Sequence, residues 1–212
     1  TPDIYRVSVH DALPILLLTS KGDRIALYNQ EEVNLAAEAL ANLHSLNIEN
    51  TFDILKTLNL NIEQTIDLLS KEYHEETVDA ARALLLRLSN QPKRILHGDA
   101  VPLNIVSFRN NVVWIDWELA CVGPYAIDMG RFLGDYNRDT LWISTNLRAN
   151  ALKCYYGKIS QFNEGLSIVD FYAHLDDAIT YNYLRIVRAY LNNSWEKNSW
   201  FFENETRLLS RL

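Results

Sequence analysis

The sequence predicts an α+β fold that is mostly α. Three observations carry that expectation. Apolar residues recur at the three- and four-residue spacing of an amphipathic helix through most of the 212 positions. The pattern changes to short strand-like runs near the N-terminus and again after Asn104. Gly and Pro, at 7 and 5, are too scarce for a collagen-like, low-complexity or disordered chain, while an apolar fraction of 48% supplies a packed core.

The elements follow in order. Ile4 to Val9 alternates as a short strand does, and Leu13 to Leu18 is an apolar run entering a turn at Thr19-Ser20-Lys21-Gly22-Asp23. From Glu31 to Leu46 the residues Leu35, Ala36, Ala39, Leu40, Leu43 and Leu46 mark one helix face. Glu31 and Glu32 stand at its start, where the helix dipole favours acids. Asn61 to Leu69 and Glu75 to Leu88 share the period, the second closing near Asn90, Pro92 and Lys93-Arg94. Ile105 to Phe108 and Val112 to Ile115 then read as two strands joined by a tight turn at Arg109-Asn110-Asn111. Helical periods return at Asp128 to Tyr136, Leu141 to Tyr156, Ile168 to Leu191 and Trp200 to Leu212. A small two-stranded insert rich in polar residues thus interrupts a helical body, and polar loops on a rigid scaffold usually mark a site.

Composition narrows the function classes. Lys plus Arg number 20 against 27 Asp plus Glu, a net charge of −7, which disfavours a nucleic-acid footprint and suits a cationic or zwitterionic small substrate. A modest negative charge also serves solubility alone. Cys121 and Cys154 lack CxxC spacing and a neighbouring His cluster, and read as small apolar side chains in a reducing, cytoplasmic compartment. The apolar runs at Leu13 to Leu18 and Leu84 to Leu86 fall far below the roughly 18 residues of a membrane span. The absence of Met at Thr1 leads us to expect a processed or truncated chain. Gly22 is the only glycine before Gly98, so no glycine-rich phosphate loop lies in that stretch.

The segment Ile95-Leu96-His97-Gly98-Asp99-Ala100-Val101-Pro102-Leu103-Asn104 sets Asp99 and Asn104 close together, and Asp116 follows within Val113-Trp114-Ile115-Asp116-Trp117-Glu118. This spacing has a physical sense. Phosphoryl transfer needs a carboxylate to accept the acceptor's hydroxyl proton and hard oxygen ligands to keep Mg²⁺ on the phosphates. One loop bearing an Asp and an Asn supplies both, and a hairpin returns a second Asp beside it. Taken singly, Asp and Asn are also ordinary turn residues.

The arrangement resembles the protein-kinase catalytic loop, and more closely the aminoglycoside phosphotransferase and choline kinase group, which shares the protein-kinase-like fold. The resemblance rests on His97-Gly98-Asp99 with Asn104, on Ile115-Asp116-Trp117-Glu118, on Gly123-Pro124-Tyr125-Ala126-Ile127-Asp128-Met129-Gly130, and on the post-hinge helix Leu35-Ala36-Ala37-Glu38-Ala39-Leu40-Ala41-Asn42-Leu43-His44. It implies a helical C-terminal lobe in which Asp99 is the catalytic base, Asn104 and Asp116 hold Mg²⁺, and His97 and Asp128 support the loop. Residues 1–22 would then be a remnant of the N-terminal lobe, with Thr19, Ser20 and Lys21 as the hinge facing the nucleotide base, and residues 23–212 the C-terminal lobe. The family more often carries an acidic pair at Thr19 and Ser20, so this hinge departs from the pattern.

The implied activity is transfer of the γ-phosphoryl of ATP or GTP to a hydroxyl of a small, amine-bearing acceptor such as an aminoglycoside or choline. The second reading is a degenerate kinase fold kept as a binding or scaffolding module, for which the missing glycine loop and strand lysine speak. Glu118 is a candidate substrate contact. Asp176 and Asp177, near Tyr181, Tyr183, Trp195 and Trp200, form the combination an ammonium group seeks, or else a solvated acidic face beside core aromatics. Trp114 and Trp117 read as core residues.

Overall fold

The computed structural model describes residues 4–9, 12–18, 23–24, 29–46, 55–108, 111–134, 143–163 and 165–212. The fold is mostly helical with small antiparallel sheets, as the patterning predicts. Strands β1 (Ile4–Val9) and β2 (Ala12–Leu18) form an antiparallel pair. Thr19, Ser20 and Lys21, the expected hinge, lie outside the described residues.

Helix α1 (Gln30–His44) begins at Asn29, whose side chain accepts from the backbone N–H groups of Glu31 and Glu32. Such a cap contributes about 1 kcal/mol. Its buried positions Val33, Ala36, Ala37, Leu40, Ala41 and His44 form one stripe, packed against α5 (Thr145–Ile159) and β6 (Asn111–Trp114). Helices α2 (Ile62–Leu69) and α3 (Glu75–Ser89) follow, and both pack on the long α6 (Ile168–Asn193). Helix α7 (Ser199–Leu209) closes the C-terminal side against α6.

The β structure beyond the N-terminal strands is richer than the one hairpin expected there. Strands β5 (Ile105–Phe108) and β6 pair as predicted, and β3 (Asp23–Arg24) extends them to three strands. A second sheet joins β4 (Lys93–Leu96) to β7 (Cys121–Pro124). Both strands are four residues long, too short for a period to register, and Gly123-Pro124 reads locally as a turn. The catalytic-loop candidates lie between these sheets rather than within a hairpin.

Helix α4 (Ala126–Leu133) follows β7 directly and ends before Gly134, short of Tyr136. It crosses α6 so closely that a Cβ on Gly130 would stand 2.9 Å from the Ala178 Cβ. Among the described residues no helix is long and apolar enough to cross a membrane.

Candidate active site

The site begins with the chain leaving β4 at Leu96. His97 and Gly98 turn their backbone N–H groups onto the fully buried Asp128 carboxylate at 2.6 and 3.1 Å. The third donor to Asp128 is Nε2 of His44, at 3.1 Å. The His44 Nδ1 lies 2.6 Å from the Tyr155 hydroxyl, whose pKa burial holds well above the usual phenol range, so Tyr155 keeps its proton and donates. A buried carboxylate demands such satisfaction, because an unpaired one costs several kcal/mol. Asp128 is therefore the post to which α1 and the loop are tied directly, and α5 through His44.

Gly98 adopts φ +81°, and a Cβ there would meet the Leu119 carbonyl oxygen at 2.0 Å. Only glycine fits. Asp99 is the following residue. Its carboxylate accepts from Asn104 Nδ2 at 3.0 Å and pairs with the Arg131 guanidinium. Asn104 also donates to the Asp99 carbonyl at 2.9 Å, and Arg131 Nη1 reaches the Gly98 carbonyl at 3.4 Å. Arg131 stands on α4 one turn after Asp128, so one helix both ties the loop backbone and meets the buried Oδ1 of Asp99.

Ile115 fastens the loop to the end of β6. Its N–H donates to the Asn104 carbonyl at 2.9 Å, and its carbonyl accepts from His97 Nε2 at 2.8 Å. His97 Nδ1 accepts the Asp99 N–H at 3.3 Å, which fixes the neutral tautomer with the proton on Nε2. Burial lowers the His97 pKa, and the nearby Asp128 opposes without reversing it. The ring sits between Trp114 and Trp117, with centroids 5.3 and 4.5 Å away. Trp114 in turn donates to the Ala36 carbonyl of α1 at 3.2 Å.

Asp116 follows at φ +64°, exposed and turned out of the strand direction. The strand ends at Trp114, so its alternation does not reach Glu118. Asn104 spends its amide N–H on Asp99, so its amide oxygen is the hard donor it can offer a cation. Among the described residues no three His, Cys, Asp or Glu side chains gather as a metal site. A carboxylate with an amide oxygen fits Mg²⁺, which commonly takes one or two protein ligands and completes its shell with phosphates and water.

A cavity of about 420 Å³ opens beside the loop, with Gly98, Glu118 and Arg131 in its wall together with Lys56, Arg185 and Arg188. Asp176 and Asp177 line neither this cavity nor the neighbouring one of about 410 Å³. They pair instead with Arg211 and Arg87. Sequence reasoning passed over Arg131, Arg185, Arg188 and the His44–Tyr155 pair. The only signal was their helical register, with Arg131 three residues past Asp128.

The sequence matches the APH phosphotransferase enzyme family over residues 10–159. The chain belongs to this family. The APH chain is similar in fold to a type I macrolide 2'-phosphotransferase, at 18% identity and a TM-score of 0.59, over 87% of this chain and 60% of that one. It is similar to a Plasmodium vivax ethanolamine kinase at 17% identity and a TM-score of 0.64, over 99% and 66% of the two chains. A third similar structure is the GDP complex of aminoglycoside 2'-phosphotransferase-IIIa, at 14% identity and a TM-score of 0.64, over 99% and 74%. The APH chain thus spans less than two thirds of the length of the first two. No curated protein matches it.

Proposed function

We propose that the full-length protein is a small-molecule kinase that transfers the γ-phosphoryl of ATP or GTP to a hydroxyl of its acceptor. The observation that carries this reading is the Asp99 carboxylate, held by Asn104 and by Arg131, which with Gly98 lines a cavity large enough for a small molecule. In this mechanism the acceptor hydroxyl approaches Asp99, which takes its proton as the oxygen attacks phosphorus. Asn104 and Asp116 would hold Mg²⁺, which when bound neutralises charge on the donor phosphates. His97 positions rather than transfers protons, since both ring nitrogens are committed to backbone groups. Asp128 keeps the loop backbone from drifting, which matters because a displacement of about 1 Å at a reacting group costs on the order of a hundredfold in rate.

The test is nucleotide consumption by the full-length protein across a broad panel of hydroxyl acceptors. Asp99→Ala should lower the acceptor-dependent rate by about 10²–10⁴, the usual worth of a general base. Equal rates for wild type and Asp99→Ala against every acceptor would reject the kinase reading in favour of a binding module.

A further inference from the structure

The cavity beside Asp99 has an electrostatic character opposite to that of the whole chain. The protein carries a net charge of −7. Yet among the described residues lining this cavity, Lys56, Arg131, Arg185 and Arg188 are basic and Glu118 alone is acidic, Arg131 being the one already paired with Asp99. Arg188 is oriented by neutral groups. Its Nη1 donates to the Leu60 carbonyl at 3.1 Å and to the Thr65 hydroxyl at 3.2 Å, which fix the guanidinium without cancelling its charge.

Tyr181 is buried in the same wall, beside these guanidiniums. Burial raises its phenol pKa, while Arg188, Arg185 and Arg131 pull it the other way, so three guanidiniums act on one hydroxyl. The opposite wall is firm as well. Lys56 and Leu58 are hydrogen-bonded through their backbones to Val122 of β7, at 2.9 and 2.7 Å.

An ammonium group entering here meets like charges in a confined, partly desolvated space, where repulsion is stronger than in water. An oxyanion meets planar guanidiniums, whose paired N–H groups match carboxylate and phosphate oxygens. The acids expected to receive an amine are already engaged elsewhere, Asp176 with Arg211 and Asp177 with Arg87.

We infer that the acceptor is a hydroxyl compound that also bears an oxyanion, a phosphate ester or a carboxylate, gripped by Arg188 while its hydroxyl lies at Asp99. The inference rests on the kinase reading above and names its substrate class. In the step, the acceptor oxygen forms a bond to the γ-phosphorus and the bond from that phosphorus to the β-γ bridging oxygen breaks. The hydroxyl proton passes to Asp99, and the nucleoside diphosphate leaves with the bond's electron pair.

The experiment compares four arms on the same three- to six-carbon skeletons: polyol phosphates, hydroxy acids, neutral polyols and amino alcohols. Release of ADP or GDP by the full-length protein is read against Asp99→Asn as the blank. Asp99-dependent turnover confined to the phosphate or carboxylate arm is the expected result, and which of those arms responds identifies the anion. Arg188→Gln should raise KM for that acceptor about tenfold or more, with the loss falling on KM rather than kcat. Arg188→Lys should recover part of it. Because Arg188 also ties Leu60 and Thr65, the exposed Lys56→Gln variant repeats the test where folding is not at stake.

Fastest turnover with amino alcohols or neutral polyols would overturn the inference and leave the kinase reading intact. No Asp99-dependent turnover in any arm would overturn the kinase reading. Calorimetry with the same compounds then judges the cavity: anion binding lost in Arg188→Gln sustains an oxyanion site, and no anion binding rejects it.

Discussion

At the scale of single residues, the position with least freedom is Gly98. Its φ of +81° and the Leu119 carbonyl, 2.0 Å from where a Cβ would stand, leave no conformation for a side chain without moving the loop. Gly98→Ala should therefore cost about 1–3 kcal/mol of stability. It should also lower kcat on the order of a hundredfold, because Asp99 is the next residue and must move with it. Thermal melts and steady-state kinetics on the full-length protein check both, and an Ala variant with unchanged kcat would show that Asp99 is not held from Gly98. The contact between Asp99 and Asn104 was legible in the sequence because both stand on one short stretch of chain. Arg131 and His44 were not, since their meaning lies in contacts with Asp99 and Asp128 that no sequence period encodes.

At the scale of elements, α4 is the part on which the site depends most. It carries Asp128 beneath the loop and Arg131 beside it, and it is seated on α6 through Gly130, where an added Cβ would meet Ala178 at 2.9 Å. Gly130→Val should cost about 1–3 kcal/mol through overpacking and lower activity in parallel, since a displaced α4 takes both side chains with it. Ala178→Gly in the same chain should restore part of each loss. A Val variant as stable as wild type would mean that the crossing tolerates more separation than its geometry suggests. The helices themselves were readable from the three- and four-residue period of residues such as Val33, Ala36, Ala37, Leu40 and Ala41. Strands β4 and β7 were not. Each is only four residues long, and their pairing, Leu96 with Cys121 and Lys93 with Pro124, joins segments far apart in the chain.

At the scale of the whole molecule, the same buried polar posts that aim the site make stability depend on pH. His97 is fully buried with its ring nitrogens committed to Ile115 and Asp99, and burial depresses its pKa below the ordinary value of 6.5. His174 is depressed for the same reason, with its Nδ1 3.0 Å from the Tyr125 hydroxyl. The unfolded chain binds protons at these imidazoles near pH 6.5, whereas the folded chain takes them up only at lower pH. Between those values the unfolded state holds more protons, so stability rises with pH and falls on acidification. Their contribution is complete above about pH 6.5 and is lost progressively below it, by at most about 1.4 kcal/mol per pH unit for His97. The melting temperature should be level from pH 7 to 8 and decline from 6.5 to 5.5, before most carboxylates begin to titrate. Replacing the partly exposed His174 by Gln should shallow that decline, whereas His97→Gln would also loosen the loop at Ile115. A melting temperature that stays flat or rises between pH 6.5 and 5.5 would mean that these imidazoles are not held neutral. The tie between Asp99 and the end of β6 would then need a different origin.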